Sequence, residues 1–263
     1  MDRVLTLALA AILGLAIGSF LNVVIWRVPR RESIVSPPSA CPSCGHAIRR
    51  RDNVPVLSWL LLRGRCRDCG APISVRYPLV EAGTTLLFVG VALRLGVAWS
   101  LPAHLYLAAI GMALALIDLD VHRLPDAIVL PSYAVVTVLL LLASLNPGGT
   151  PDWPALLRAL IGGATLWVFY FVLSVLWAGG MGFGDVKLAG ILGAAMAWLG
   201  WGTLVIGAFA AFLVGGLFSI GLLASGRATR KSGIPFGPWM ILGAAVGVAV
   251  GEPLWSAYLG FIL

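Results

Sequence analysis

The sequence predicts an all-α polytopic membrane protein of about eight transmembrane helices, with a small zinc-bound cytoplasmic domain inserted after the first helix. Three observations carry this. Of 263 residues, 60% are hydrophobic and only 11% charged, whereas soluble domains carry about 25% charged residues. The apolar residues gather into long stretches near 4–26, 79–98, 102–117, 127–145, 154–177, 186–199, 201–224 and 236–262, most of them long enough to cross a bilayer. The one long polar interruption, 27–78, holds all four cysteines. The expected division is therefore a first helix (1–26), a cytoplasmic zinc-binding domain (27–78) and a transmembrane core (79–263).

Charge sets the expected orientation. The net charge is +7, and ten of the 18 basic residues lie between Arg27 and Arg76. Such clustering also suits nucleic acid, but basic residues gather on the cytoplasmic loops of membrane proteins, and no nucleic-acid partner is expected here. If 27–78 is cytoplasmic, so are 118–126, 178–185 and 225–235. These loops and their edges hold 15 basic residues, among them Arg123, Lys187, Arg227, Arg230 and Lys231, leaving Arg3, Arg94 and Arg158 outside. Residues 4–26 are followed by Arg27 and Pro29 rather than a small-residue cleavage site, so this stretch reads as a retained helix.

The first helix contains Gly14, Gly18, Ser19 and then Asn22. Small residues let helices approach closely in lipid, and an Asn can hydrogen-bond across the interface. The polar segment then presents Cys41-Pro-Ser-Cys44-Gly45 and, after 21 intervening residues, Cys66-Arg-Asp-Cys69-Gly70. Two residues between thiolates let one tight turn supply two ligands, and paired C-x2-C units read as a tetrahedral zinc site. Cytosolic thiols stay reduced, so disulfides are the lesser reading. With four protein ligands the metal is structural, and His46 is surplus to the set. Between the pairs, 53–63 is apolar enough to lie on the membrane surface. Glu81, one turn into the second helix, reads equally as a carboxylate favoured by a helix N-terminus and as a polar group lining a cytoplasmic pocket.

The third helix closes on Asp118-Leu-Asp120-Val-His122-Arg-Leu124-Pro125-Asp126. Asp118 is flanked by apolar residues and lies deepest. Asp126 follows Pro125 at the start of a helix, where N-capping accounts for it without chemistry. Residues 146–153 form a turn on the outer side. Gly162, Gly163, Gly190 and Gly193 read as helix-packing sites, and Gly233–Pro238 as a simple re-entry into the membrane in preference to a turn flanking the active cleft. The remaining carboxylate stands in Gly179-Gly180-Met-Gly182-Phe183-Gly184-Asp185-Val-Lys187. Glycine lets backbone turn sharply and lie close to another chain, and an ionisable residue in such a setting is a functional hypothesis by default. Asp118 and Asp185 face the same side and make a natural pair. Two carboxylates sharing one proton divide the work: one takes a proton from water, the other protonates the scissile carbonyl. Helix dipoles suggest Asp185 as the anion, helped by Lys187, and Asp118 as the proton carrier.

At these residues the chain resembles the type IV prepilin peptidases, aspartic intramembrane proteases of the GxGD class. The resemblance lies in Asp118…Leu124-Pro125-Asp126 and Gly182-Phe183-Gly184-Asp185. It extends to Gly18-Ser-Phe-Leu-Asn-Val-Val-Ile-Trp-Arg27, both cysteine pairs and Arg76-Tyr-Pro-Leu-Val-Glu81. It implies a bacterial inner-membrane enzyme that cleaves the short basic leader from type IV prepilins and pseudopilins at the cytoplasmic face. It also implies N-methylation of the new terminus with S-adenosylmethionine. Asp118 and Asp185 would be catalytic, with Gly182, Gly184, Lys187, Pro125 and Asp126 in support. The methyl donor's site is not assigned by spacing, and Glu81 and Asn22 are the candidates. Phe183 stands where the family often has Tyr. Leader contacts are sought at Glu32, Asp52, Asp68 or Asp120. The competing readings are a transporter and a scaffold, each with a zinc-bound cytoplasmic domain. A transporter would place paired polar residues across the midplane, whereas here the carboxylates cluster at one face. Oligomeric state is not set by the sequence.

Overall fold

The computed structural model describes residues 3–176, 181–227, 229 and 233–262. Gly179 and Gly180 of the glycine run, and Arg230 and Lys231 of the last basic loop, lie outside the described residues. The helices are α1 (Arg3–Arg27), α2 (Leu57–Leu61), α3 (Arg76–Leu95), α4 (Leu101–Val121), α5 (Asp126–Leu145), α6 (Trp153–Leu176), α7 (Phe183–Leu199), α8 (Trp201–Ala224) and α9 (Gly237–Ile262). Among the described residues, seven helices are long and apolar enough to cross a membrane: α1, α3, α4, α5, α6, α8 and α9. The short one is α7. Its 17 residues reach about 25 Å at 1.5 Å per residue.

The chain divides into two compact units, 1–97 with 108–113, and 98–107 with 114–263. In the first, α1 and α3 meet through small residues, as expected. A Cβ on Gly14 would lie 2.7 Å from the Cα of Thr85, and one on Gly18 2.7 Å from the Cα of Glu81. The amide of Asn22 donates to the Tyr77 carbonyl at 3.2 Å and to the Gly18 carbonyl at 3.4 Å. Between these helices the chain forms two similar turns, closed by bridges Ala40–Ala47 and Arg65–Pro72. The short α2 separates them, with Leu57, Leu60 and Leu61 exposed. This apolar face fits a segment resting on a lipid surface.

The second unit is built around α7, whose residues from Asp185 to Ala197 are almost all buried. It packs on α5, α6, α8 and α9. The glycines of α6 and α7 permit this closeness: a Cβ on Gly193 would meet the Gly162 carbonyl at 2.6 Å, and one on Gly163 the Gly190 carbonyl at 3.0 Å. The last carbonyls of α7 lack partners within the helix, and Ala197 there is fully buried. Arg158 of α6 donates to the carbonyls of Ala197 and Trp198, each at 2.9 Å. Buried His104 of α4 lies 3.4 Å from the Ala195 carbonyl. At the start of α8, the Glu252 carboxylate accepts the Thr203 N–H at 3.1 Å.

Two helix boundaries differ from expectation in a way that moves the site. The helix expected to end at 117 runs on to Val121, ending where left-handed His122 donates its N–H to the Asp118 carbonyl. Asp118 therefore lies within the last turn rather than past it. The helix expected from 186 begins at Phe183. Asp185 is thus in its first turn, not on a loop.

Candidate active site and candidate metal centre

Asp118 and Asp185 are both buried, at 5% and 7% exposure. Burying a carboxylate is costly unless it is hydrogen-bonded or neutralised. Each accepts one backbone N–H from a helix N-terminus. Asp185 Oδ2 takes that of Gly182 at 3.2 Å, beside its own helix α7. Asp118 Oδ2 takes that of Gly237 at 3.1 Å, the first residue of α9. The two carboxylates are near enough to interact electrostatically.

Three elements hold the two motifs together. Leu124 packs on both: a Cβ on Gly184 would lie 3.0 Å from Leu124 Cβ, and one on Gly237 3.3 Å from Leu124 Cδ2. Lys187 Nζ pairs with Asp126 Oδ1 at 2.7 Å. The Tyr133 hydroxyl donates to the Lys187 carbonyl at 2.6 Å. Pro125, extended at φ −65°, ψ 128°, is the N-cap of α5 and aims Asp126 at this lysine.

Four expectations are revised. Asp126 does not cap its helix, because Pro125 holds the N-cap position and the Asp126 carboxylate is engaged by Lys187. Lys187 for the same reason serves Asp126, with its ammonium 5.2 Å from the Phe183 ring, rather than neutralising Asp185. The Gly233–Pro238 segment is more than a re-entry, since Gly237 bonds Asp118. That bond also places Asp118 at a positive helix end, so dipoles no longer distinguish a proton carrier from an anion within the pair.

The four cysteine Sγ atoms lie within 4.8 Å of one another, with Cys41 and Cys69 3.8 Å apart. A tetrahedron with Zn–S near 2.3 Å has edges of about 3.8 Å, whereas a disulfide needs about 2.05 Å. The two turns are alike. Gly45 and Gly70 adopt φ of +73° and +71°, and donate to the carbonyls of Cys41 and Cys66 at 2.9 Å each. Backbone N–H groups of Cys44 and Ser43 pull the Cys41 thiol down to about 6. At Cys44 the His46 N–H favours the thiolate, but burial and the neighbouring thiols push it up to about 12. Four sulfur donors so close could hold a metal ion, and the all-sulfur donor set fits zinc. Asp52 and Asp68 are engaged by Arg67 and Arg49, at 2.6 and 2.8 Å. These pairs brace the two turns.

The Glu81 carboxylate accepts the Val56 N–H at 2.6 Å and a bond from Ser19. Val56 has φ +60°, a strained conformation for a β-branched residue. Ser19 and Asn53 line a cleft of about 400 Å³ with Ile12, Leu15, Ala16 and Pro55.

Comparison with known proteins spans most of the chain. The bacterial peptidase A24 N-terminal domain matches residues 12–95, and the type IV leader peptidase family matches 105–220. A prepilin leader peptidase/N-methyltransferase of Aeromonas salmonicida is 39% identical, across 97% of this chain and 94% of that protein. The proteins of that name from Aeromonas hydrophila and Pseudomonas aeruginosa are 39% and 37% identical. They cover 96% and 95% of this chain, and 93% and 92% of their own lengths. The chain belongs to the type IV leader peptidase family. No solved structure matches it.

Within this leader peptidase chain, the structure brings Leu124 against Gly184 and Gly237, and Lys187 against Asp126. Glu81 and the cysteines lie in the first unit. Asn22 spends its amide on helix packing. Sequence reasoning missed Gly237, whose only signal was its place in a Gly/Pro-rich return. It also missed Arg158, counted simply as an outside charge.

Proposed function

We propose that the chain hydrolyses the peptide bond between leader and mature pilin at Asp118 and Asp185, facing the cytoplasm, on type IV prepilins and pseudopilins. It then methylates the exposed amine with S-adenosylmethionine. The relatives' name speaks for the two reactions. The observation that carries the aspartate assignment is the pair itself: two buried carboxylates, each anchored by one helix-end N–H, on motifs clamped by Leu124 and the Lys187–Asp126 pair. The excess of basic residues on one set of loops supports the cytoplasmic face.

Two interacting carboxylates release their protons in separate steps, so one proton shared by the pair serves near neutrality. The ionised member takes a proton as water adds to the carbonyl carbon. The protonated member gives its own to the carbonyl oxygen. Collapse of the intermediate breaks the C–N bond, and the amine leaves with a proton from the pair.

Cys41, Cys44, Cys66 and Cys69 would hold Zn2+. The ion supplies a structural crosslink there, with all four positions taken by protein. For the methyl donor, Glu81 is the better of the two candidates. Its carboxylate is one hydrogen bond from the cleft through Ser19 and suits a cationic ligand, whereas the Asn22 amide is already engaged.

Purified protein incubated with a prepilin is expected to remove the leader, read by mass. Asp118→Asn and Asp185→Asn should each abolish that cleavage. Gain of one methyl group, dependent on the donor, reads the second activity. Full cleavage by either Asn variant sinks the aspartate assignment.

A further inference from the structure

Tyr170 stands out among the buried side chains of α6. It is 1% exposed, and its ring is fixed on three sides. Phe169 meets it edge-on at 5.6 Å, Phe212 lies at 5.6 Å and Phe236 at 6.1 Å. Phe236 immediately precedes Gly237, which bonds Asp118. The Asp185 carboxylate is the charge that acts on the Tyr170 hydroxyl. The side chain therefore belongs to the neighbourhood of both aspartates.

Its hydroxyl makes no hydrogen bond to any described residue, unlike the other tyrosines of this unit near the core, Tyr106 and Tyr133, which bond Ser132 and the Lys187 carbonyl. Nor is that oxygen sealed in. Among the described residues, the one enclosed side-chain polar atom without a partner is Trp239 Nε1. The residue is buried as a whole, yet its hydroxyl reaches open space with no protein acceptor among the described residues, so it is available to a ligand. The ring packing accounts for the phenyl group and leaves the hydroxyl unexplained.

We propose that Tyr170 is a third member of the hydrolytic site, its hydroxyl donating a hydrogen bond to the carbonyl oxygen of the scissile peptide. This rests on the aspartate reading above. As water adds to the carbonyl carbon, the π electron pair moves onto that oxygen, which receives the proton of the protonated aspartate. The tyrosine keeps its own proton throughout and stabilises the oxygen while its charge develops. A neutral phenol suits this role: it donates without adding another charge to a site already holding a carboxylate.

Tyr170→Phe removes the hydroxyl and keeps the ring. Loss of one such donor costs on the order of a hundredfold in kcat where it is the main one. With an aspartate also protonating the oxygen, roughly tenfold to a hundredfold is expected. KM, thermal midpoint and methylation of an already cleaved pilin should stay unchanged. Asp118→Asn and Asp185→Asn are measured in parallel. If either still cleaves, the aspartate reading fails whatever Tyr170 does. If both are inactive and Tyr170→Phe keeps the wild-type kcat, the tyrosine proposal alone is overturned. A fluorinated tyrosine at 170 gives a second reading that preserves the side chain. Its more acidic phenol should change kcat while KM holds, and an unaltered kcat overturns the proposal.

Discussion

A methyl group on Gly237 would sit 2.7 Å from Asp118 Oδ2 and 3.4 Å from its Cγ. Real Cβ atoms do not tolerate the shorter distance, so the carboxylate must turn away. Gly237→Ala is therefore expected to lower leader cleavage by roughly tenfold or more, in line with what displacing a catalytic group costs. Folding should change by no more than about 1 kcal/mol, the helix-propensity difference between glycine and alanine. Gly216→Ala, where nothing lies within 4 Å, is the control and should cleave normally. Cleavage rate and thermal unfolding in detergent measure both. Asp118 and Asp185 are legible in the sequence, since carboxylates among apolar residues are rare enough to mark themselves. Gly237 is not. Its role is a backbone N–H, which any residue type but proline possesses, and only folding brings it to Asp118 from 119 positions away.

Among the elements, α7 carries the sharpest demand. A helix buried almost throughout must still satisfy its last carbonyls away from water. Arg158 does this with two donors from α6, and its charge suits the negative helix end. Arg158→Leu is expected to destabilise by about 2–3 kcal/mol, the usual worth of hydrogen bonds to a charged group. Arg158→Lys should recover only part of this, because an ammonium lacks the planar fork that reaches two carbonyls. A wild-type thermal midpoint for Arg158→Leu sinks this account. The shortness of α7 can be read from hydropathy, and Gly162, Gly163, Gly190 and Gly193 announce that α6 and α7 approach closely. Which residue closes the end of α7 cannot be read, because an arginine on an outer helix end looks like any other interfacial charge.

Across the whole molecule, the residues proposed for the two reactions fall in two compact units. The cysteine set, Glu81 and its cleft fall in one, and both aspartates in the other. Stripping the proposed zinc with a chelator, or Cys44→Ser, should remove the crosslink between the two turns, and such small metal-bound segments depend on it for folding. Proteolysis is then expected to open residues 39–73 first. Methylation should fall more steeply than cleavage. Equal loss of both activities in the two measurements argues against separate seats. By itself the sequence determined that the chain is a multi-pass helical protein, where its thiols and acids lie, and the family its motifs resemble. Those follow from composition and short-range spacing, which water and lipid read locally. Only the tertiary structure decided the partners of those residues: Asp126 for Lys187, Gly237 for Asp118, Val56 for Glu81. A hydrogen bond between distant segments depends on how helices dock, and docking is set by the packing of many side chains at once.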